Sequence, residues 1–423
     1  MITGASAVQH KVSNWTNNVR SDVSTDVAHP RLDFEVWNWN GGSPSWKNEN
    51  VENVFPAMTL PKILKDIGYR TIHVGKAHFG TPKTLASNPK NLGFDVNIAG
   101  RSIGAPASYL ANANKLEDGG YNYGSGGNEV FGLSEYNRDG CYLTEALTRA
   151  AIAEIDRAVK KSAPFFLYFA HYGVHSPYSA NRALDKRFEN DYPDLNGQAK
   201  TYATMIASMD KSLGDILDRL DREPELAKNT VVFFMSDNGG HHSNGNTPAR
   251  AGKGSCFEGG IHEPMNAVWP SVARAGTVCE TPVIIEDFFP TILEIAGVKK
   301  VETPQRIDGV SFVPALSGKS VPAERPLIFH YPNHWGENYG RIGVPASAIR
   351  LGKWKLLYFY DDSRTMLFDL ENDIGEQQNL AEKNPKQAKK LAKRLTEFLK
   401  ANGATRPIRK ATGTPCSWPD GSD

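Results

Sequence analysis

Cysteine is scarce in this sequence. Cys141, Cys256, Cys279 and Cys416 stand far apart, with no CxxC pair among them. Four scattered thiols make neither a disulfide framework nor a thiolate metal site, and they leave the redox compartment open. An excess of one charge is missing too. Lys+Arg 48 offsets Asp+Glu 47, which removes any electrostatic case for nucleic acid or an anionic membrane surface. No apolar run approaches the roughly 20 residues of a membrane span. There are no internal repeats, and the N-terminal MITGASAVQHKVSNW lacks the charged-then-apolar order of a signal peptide. What remains is a chain of 423 residues, 40% hydrophobic and 22% charged, long enough for one large domain or two.

The stretch Val231–His242, VVFFMSDNGGHH, organises the rest. Its first five residues have the length and composition of a buried strand. The polar turn that follows sets Asp237 and Asn238 side by side, a charged and a neutral oxygen donor suited to a hard cation. The same Asp-Asn-Gly is also ordinary turn chemistry. Other strands precede and follow it. Thr59-Leu60-Pro61 opens a helix that Gly68 ends, and Arg70–Val74 alternates as a strand. Residues 81–140, rich in Gly, Asn, Ser and Pro, read as a long loop-rich insertion. A helix from Thr144 to Lys161 leads into the apolar strand Phe165–Ala170. Apolar residues from Tyr202 to Leu220 step by three and four, as one face of a helix does.

This alternation predicts an α/β fold with a mostly parallel sheet covered by helices on both faces. Ala267–Trp269 and a helix near Asp287–Ala296 continue it. Near residue 320 the pattern changes, so the expected division is a catalytic α/β domain over 1–320 and an α+β subdomain with a tail over 321–423. Ile349–Tyr360 and Thr365–Leu370 read as antiparallel strands. A helix near Pro385–Lys400 turns Leu391, Leu395, Phe398 and Leu399 inward, and the last residues read as a surface tail.

Polar clusters of one chemical flavour follow three of these strands. Lys76 and His78 come after the first, His171 and His175 after the second, Asp237 and Asn238 after the third. In parallel sheets ligands bind beyond the carboxyl ends of strands. A glycine-rich loop, Gly252–Gly260, adds Lys253 without the spacing of a phosphate-binding P-loop. Singly, each lysine reads as solvated charge and each histidine as a loop residue. Jointly they suit a divalent cation and a tetrahedral oxyanion ester, with imidazoles placed for proton transfer.

The chain resembles the type I sulfatases of the alkaline-phosphatase superfamily. The residues that carry the resemblance are GYRTIHVGKAHFG (68–80), HSP (175–177), SDNG (236–239) and GKGSCFEGGIHEP (252–264). AIRLGKWKLLY and LFDLENDIGEQQNLA match the family's small C-terminal antiparallel sheet and helix. The resemblance implies that Asp237 and Asn238 ligate Ca²⁺, with Mg²⁺ less suited. It implies that Lys76 and Lys253 bind the sulfate oxygens, His78 positions the nucleophile, and His175 protonates the leaving alcohol.

In the family the nucleophile is a formylglycine hydrate, made from Cys or Ser by a formylglycine-generating enzyme. The motif for that modification, C/S-x-P/A-x-R, is not in this sequence, and Cys256 precedes Phe-Glu-Gly instead. Ile2-Thr3-Gly4 matches the end of the helix that follows the motif. The expectation is therefore a longer sulfatase whose preceding segment holds the nucleophile and two further acidic calcium ligands, with Met1 an internal methionine. The aromatic and amide loop Trp37–Trp46, the run Tyr331–Trp335, and His242 and His334 are candidates for lining a sugar site. A sulfated saccharide is the expected substrate, and a periplasmic or secreted location the expected setting. A phosphatase or phosphonate hydrolase of the same superfamily, and a non-catalytic glycan-binding relative, are the competing readings.

Overall fold

The structure, a computed structural model, describes residues 1–15, 29–35, 40–43, 51, 53–241, 246–319, 325–334 and 343–423. Its centre is a parallel three-stranded sheet in the order β2-β1-β3, formed by β1 (Arg70–Gly75), β2 (Val96–Ile98) and β3 (Phe165–Ala170). Ile72 pairs with Val96 and Arg70 with Phe165, in register along the ladder. Because strand side chains alternate, each face takes its own helices. Leu167 and Phe169 pack with α2 (Leu143–Lys160) and α3 (Gly197–Asp221) around Leu147, Ile155, Met205 and Ile216. Phe166 faces the other way, onto α1 (Leu60–Asp66) and α4 (Phe288–Ile295) through Leu64 and Phe289. The α/β prediction, with helices on both faces, holds.

Three expectations need correction. Val231–Met235 and Phe165–Ala170 read as buried strands, yet every residue of β3 and of β4 (Val232–Met235) is only half-buried. Among the described residues β3 pairs only with β1. β4 pairs only with β5 (Met265–Val268), and that pair is antiparallel. Apolar composition marks a strand but not whether both of its edges are covered. The second correction concerns Ile349–Tyr360, which is two strands rather than one. Gly352, at φ 57°, turns β7 (Ala346–Leu351) into β8 (Trp354–Phe359). The last residues, finally, are no loose tail. Cys416 and Trp418 are buried, Arg406 lies over the Trp418 ring at 4.0 Å, and Ile408–Arg409 pairs with Leu32–Asp33.

The C-terminal sheet runs β9-β8-β7-β6, with β6 at Leu327–Tyr331 and β9 at Thr365–Asp369, antiparallel throughout. One face, with Ile349, Leu356 and Leu367, is covered by Leu391, Leu395 and Leu399 of α5 (Pro385–Ala401). The opposite face, with Ala348, Leu357 and Phe368, receives Cys256 and Phe257 from the glycine-rich loop. That loop is therefore docked on the C-terminal sheet by its apolar residues, which leaves its polar end free for another task. The loop-rich insertion also contributes to the core, through Tyr109, Tyr123, Val130 and Leu133.

Candidate active site

Each strand end delivers its polar residues by a specific backbone device. Gly75 adopts φ 97°, and a Cβ there would collide with the Ala170 carbonyl. Glycine thus lets β1 continue beside β3, where the Lys76 amide donates to Ala170 O at 2.8 Å. Two residues on, His78 sits in the left-handed region at φ 50°, with its amide donating to Arg101 O at 2.9 Å. Its ring lies over Gly104, where an added Cβ would come within 2.7 Å. The insertion thereby forms the wall behind His78.

After β3, the His171 ring packs at 4.3 Å on Phe169, and burial lowers its pKa to about 4. The His175 amide bonds to Tyr172 O and to the Tyr109 hydroxyl. His175 Nδ1 lies 2.9 Å from Ser176 O, and a carbonyl can only accept, so Nδ1 carries the hydrogen. Nε2 is left as the nitrogen that exchanges a proton. Burial lowers the His175 pKa and the nearby Lys253 and Lys76 charges push the same way, against the Ser176 carbonyl hydrogen bond and, more weakly, Asp237.

Beyond β4, Ser236 Oγ donates to Asn238 O at 3.0 Å and Asn238 Nδ2 to Gly239 O at 3.3 Å. The turn is stitched to the glycine-rich loop by Gly239 N–H to Gly260 O and Lys253 N–H to Gly240 O, both 3.1 Å. A Cβ at Gly239 would collide with the Gly259 carbonyl, so this close approach requires glycine. Asn246 completes the seam. It accepts from Gly240 N–H at 3.0 Å and donates to Gly240 O and Ala251 O.

These devices bring four segments to one point. Lys76 Nζ lies 3.7 Å from Asp237 Oδ2. Lys253 has its pKa lowered by burial and then by Lys76, against the pull of Asp237. Two lysines, the imidazole of His175 and the Asp237 carboxylate therefore share one field. Asp237 is 69% exposed, so its pairing with Lys76 is weak and the lysines keep a net positive potential. Such a cluster has the charge to suit an anion, with the His175 imidazole in the same field.

Asp237 and Asn238 supply the type of oxygen a hard divalent cation takes. Sequence reasoning missed Glu263, which lies near them. Burial, followed by the Asp237 charge, raises its carboxyl to about 7, against a hydrogen bond from the Ser236 side chain. Two carboxyl groups that repel one another beside an amide are a donor set that a cation stabilises, so the residues fit such an ion in kind. They supply only part of a shell: among the described residues no group of three His, Cys, Asp or Glu side chains could hold a metal. The only hint of Glu263 in the sequence was its place in the GGIHEP run.

His334 is nearly buried, with its ring edge-on to that of His29 at 4.8 Å, and its neighbour Asn333 bonds to Ser13 O. His242, Trp335 and most of Trp37–Trp46 lie outside the described residues. Cys256 is buried and its thiol is pushed up to about 11, which makes it inert at neutral pH.

Residues 41–298 match the sulfatase family, and residues 252–404 match the C-terminal part of N-sulphoglucosamine sulphohydrolase. The chain belongs to the sulfatase family. Curated relatives include a sulfatase of Formosa agariphila, 31% identical over 63% of this chain and 52% of the relative. The N-acetylgalactosamine-6-sulfatase of Mus musculus is 29% identical, over 80% of this chain and 59% of the relative. The chain thus spans roughly half to two thirds of the length of such relatives. Among solved structures, Ps i-CgsB in complex with k-i-k-neocarrahexaose superposes with a TM-score of 0.70 at 27% identity, covering 95% of this chain and 81% of that one.

Proposed function

We propose that this chain carries the sulfate-binding and proton-transfer half of a glycan sulfatase, which hydrolyses a sulfate ester on a saccharide. The observation that carries the proposal is the convergence of Lys76, Lys253 and His175 on Asp237 from four separate segments. The relatives named as N-acetylgalactosamine-6-sulfatase and the neighbour bound to a neocarrahexaose support a sulfated sugar as the substrate class.

In this reading Lys76 and Lys253 neutralise the sulfate oxygens, where negative charge builds as the ester bond breaks. His175 Nε2 stands at the leaving oxygen. With no substrate bound, burial and the two lysines keep it neutral; a bound sulfate ester offsets the lysines and restores its proton affinity. The protonated ring then donates to the departing alcohol. His78, held over Gly104, orients the nucleophile. Asp237 and Asn238 would hold Ca²⁺, which when bound supplies further positive charge at the sulfate oxygens. A formylglycine, installed by a formylglycine-generating enzyme, would supply the attacking hydroxyl beside these residues, and a periplasmic or secreted setting suits that modification.

The test is sulfate release from sulfated oligosaccharides by the formylglycine-bearing protein, with and without Ca²⁺. Release that is lost in His175→Ala bears the proposal out. No release from any sulfated saccharide or aryl sulfate by the formylglycine-bearing protein overturns it.

A further inference from the structure

The glycine-rich loop that presents Lys253 is anchored by a buried charge network whose other half belongs to the C-terminal sheet. Lys355 on β8 is fully buried, with Nζ 2.8 Å from Glu258 Oε1 and 2.9 Å from Glu376 Oε1. Glu258 opens the short helical turn Glu258–Ile261 that follows the loop, and its amide donates to Glu376 Oε2 at 2.7 Å. Glu258 Oε2 also meets Arg350 at 3.4 Å and His262 Nδ1 at 3.1 Å. Arg250, at the loop's start, donates to Glu376 O at 2.8 Å and lies over the Phe257 ring at 4.3 Å. Gly343 N–H adds a bond to Gly254 O at 2.8 Å, one residue from Lys253.

Two carboxylates and two cations taken out of water cost free energy unless every partner is present. Packing alone would hold the loop through Cys256 and Phe257. The network adds what packing cannot. Its hydrogen bonds are directional, and they hold the Arg250 guanidinium on one side of Lys253 and the Glu258 amide and carboxylate on the other.

We infer that Lys355, Glu258 and Glu376 are positioning residues for the sulfate site, through which the C-terminal sheet sets where Lys253 points. The inference rests on the sulfate-binding reading given above. None of the three touches substrate; each acts through the loop. The consequence is that a change on β8 registers as weaker anion binding at the strand ends of the other sheet.

The experiment compares the parent chain with Lys355→Met, Glu376→Gln and the neighbouring surface variant Lys353→Ala, at a temperature where all are folded by circular dichroism. Inorganic sulfate binding is measured by calorimetry, and hydrogen exchange is followed at residues 250–262 and at α2. Lys355→Met is expected to weaken sulfate binding at least tenfold and to speed exchange across 250–262 with α2 unchanged. Glu376→Gln, the milder change, is expected to weaken binding about threefold, and Lys353→Ala to leave it alone. Unchanged affinity in a folded Lys355→Met or Glu376→Gln protein overturns the inference, because a merely stabilising network would lower thermal stability without moving affinity. If the parent binds no sulfate, the functional reading fails. The exchange data then decide the coupling alone, and unaltered exchange at 250–262 overturns it.

Discussion

Lys253 and Lys355 lie on either side of one loop seam and are opposite in electrostatic design. Lys355 is sealed from water and has two carboxylates within 2.9 Å. Lys253 is half-buried, with a second lysine nearby and the largely exposed Asp237 as its counter-charge. A buried cation that is fully neutralised is architecture. A cluster of cations left short of negative charge is a site waiting for an anion. The carboxyl groups follow the same division. Burial alone would raise Glu258, but the His262 hydrogen bond and the Lys355 charge hold it down at about 2. Glu263, beside Asp237, rises to about 7.

Replacing Lys76 and Lys253 together by Ala should lower kcat/KM for a sulfated saccharide by roughly 10²–10³-fold, in line with the loss of an oxyanion-stabilising donor. Thermal stability should stay near that of the parent, since the pairing of Lys76 with the exposed Asp237 is weak. A large fall in stability with activity retained would reverse the roles assigned here.

On the architectural side, Lys355→Met should cost about 3–5 kcal/mol in urea unfolding, because it strands Glu258 and Glu376 in the interior. A cost below 1 kcal/mol would mean that the network is solvated in solution. The partly exposed Lys353, paired with Asp369 at 2.6 Å, sharpens the contrast. Lys353→Ala should leave urea unfolding close to that of the parent, because an exposed ion pair contributes little.

Between these extremes lies a pH effect. His330 is buried, with Nδ1 2.7 Å from Ser347 Oγ and Nε2 3.1 Å from Thr405 O, and burial lowers its pKa from 6.5 to about 4. The unfolded chain binds a proton at His330 below pH 6.5 and the folded chain does not until about pH 4. Its contribution is thus complete above pH 6.5 and is lost as the pH falls toward 4, costing roughly 2 kcal/mol near pH 5. His330→Gln should flatten that part of the Tm–pH curve. An unchanged slope would assign the proton uptake to another buried histidine, such as His73.

Much of this was legible in the residues. Three-and-four spacing marked α3 and α5, and apolar runs marked β3 and β4. Shared polar chemistry after three strands grouped Lys76, His175 and Asp237, and the glycine-rich loop added Lys253, before any geometry was available. What stayed hidden depends on distant partners. Lys355 meets Glu258 and Glu376 across 97 and 21 positions of sequence, and Glu376 sits in a polar run that reads as loop. Trp418 is buried under Arg406 by a contact with no periodicity to announce it. The half-exposure of β3 and β4 reflects which strands lie beside them, and composition is silent on that. His334 was singled out for its aromatic neighbours, and the structure packs it against His29.

The central claim is that Lys76, Lys253, His175 and Asp237 form one anion site built for sulfate. Titration of inorganic sulfate into the 423-residue chain, followed by calorimetry beside the Lys76→Ala/Lys253→Ala variant, tests it most directly. The account predicts saturable binding to the parent that disappears in the variant and weakens as salt rises. Equal binding by both proteins, or none by the parent, would contradict it.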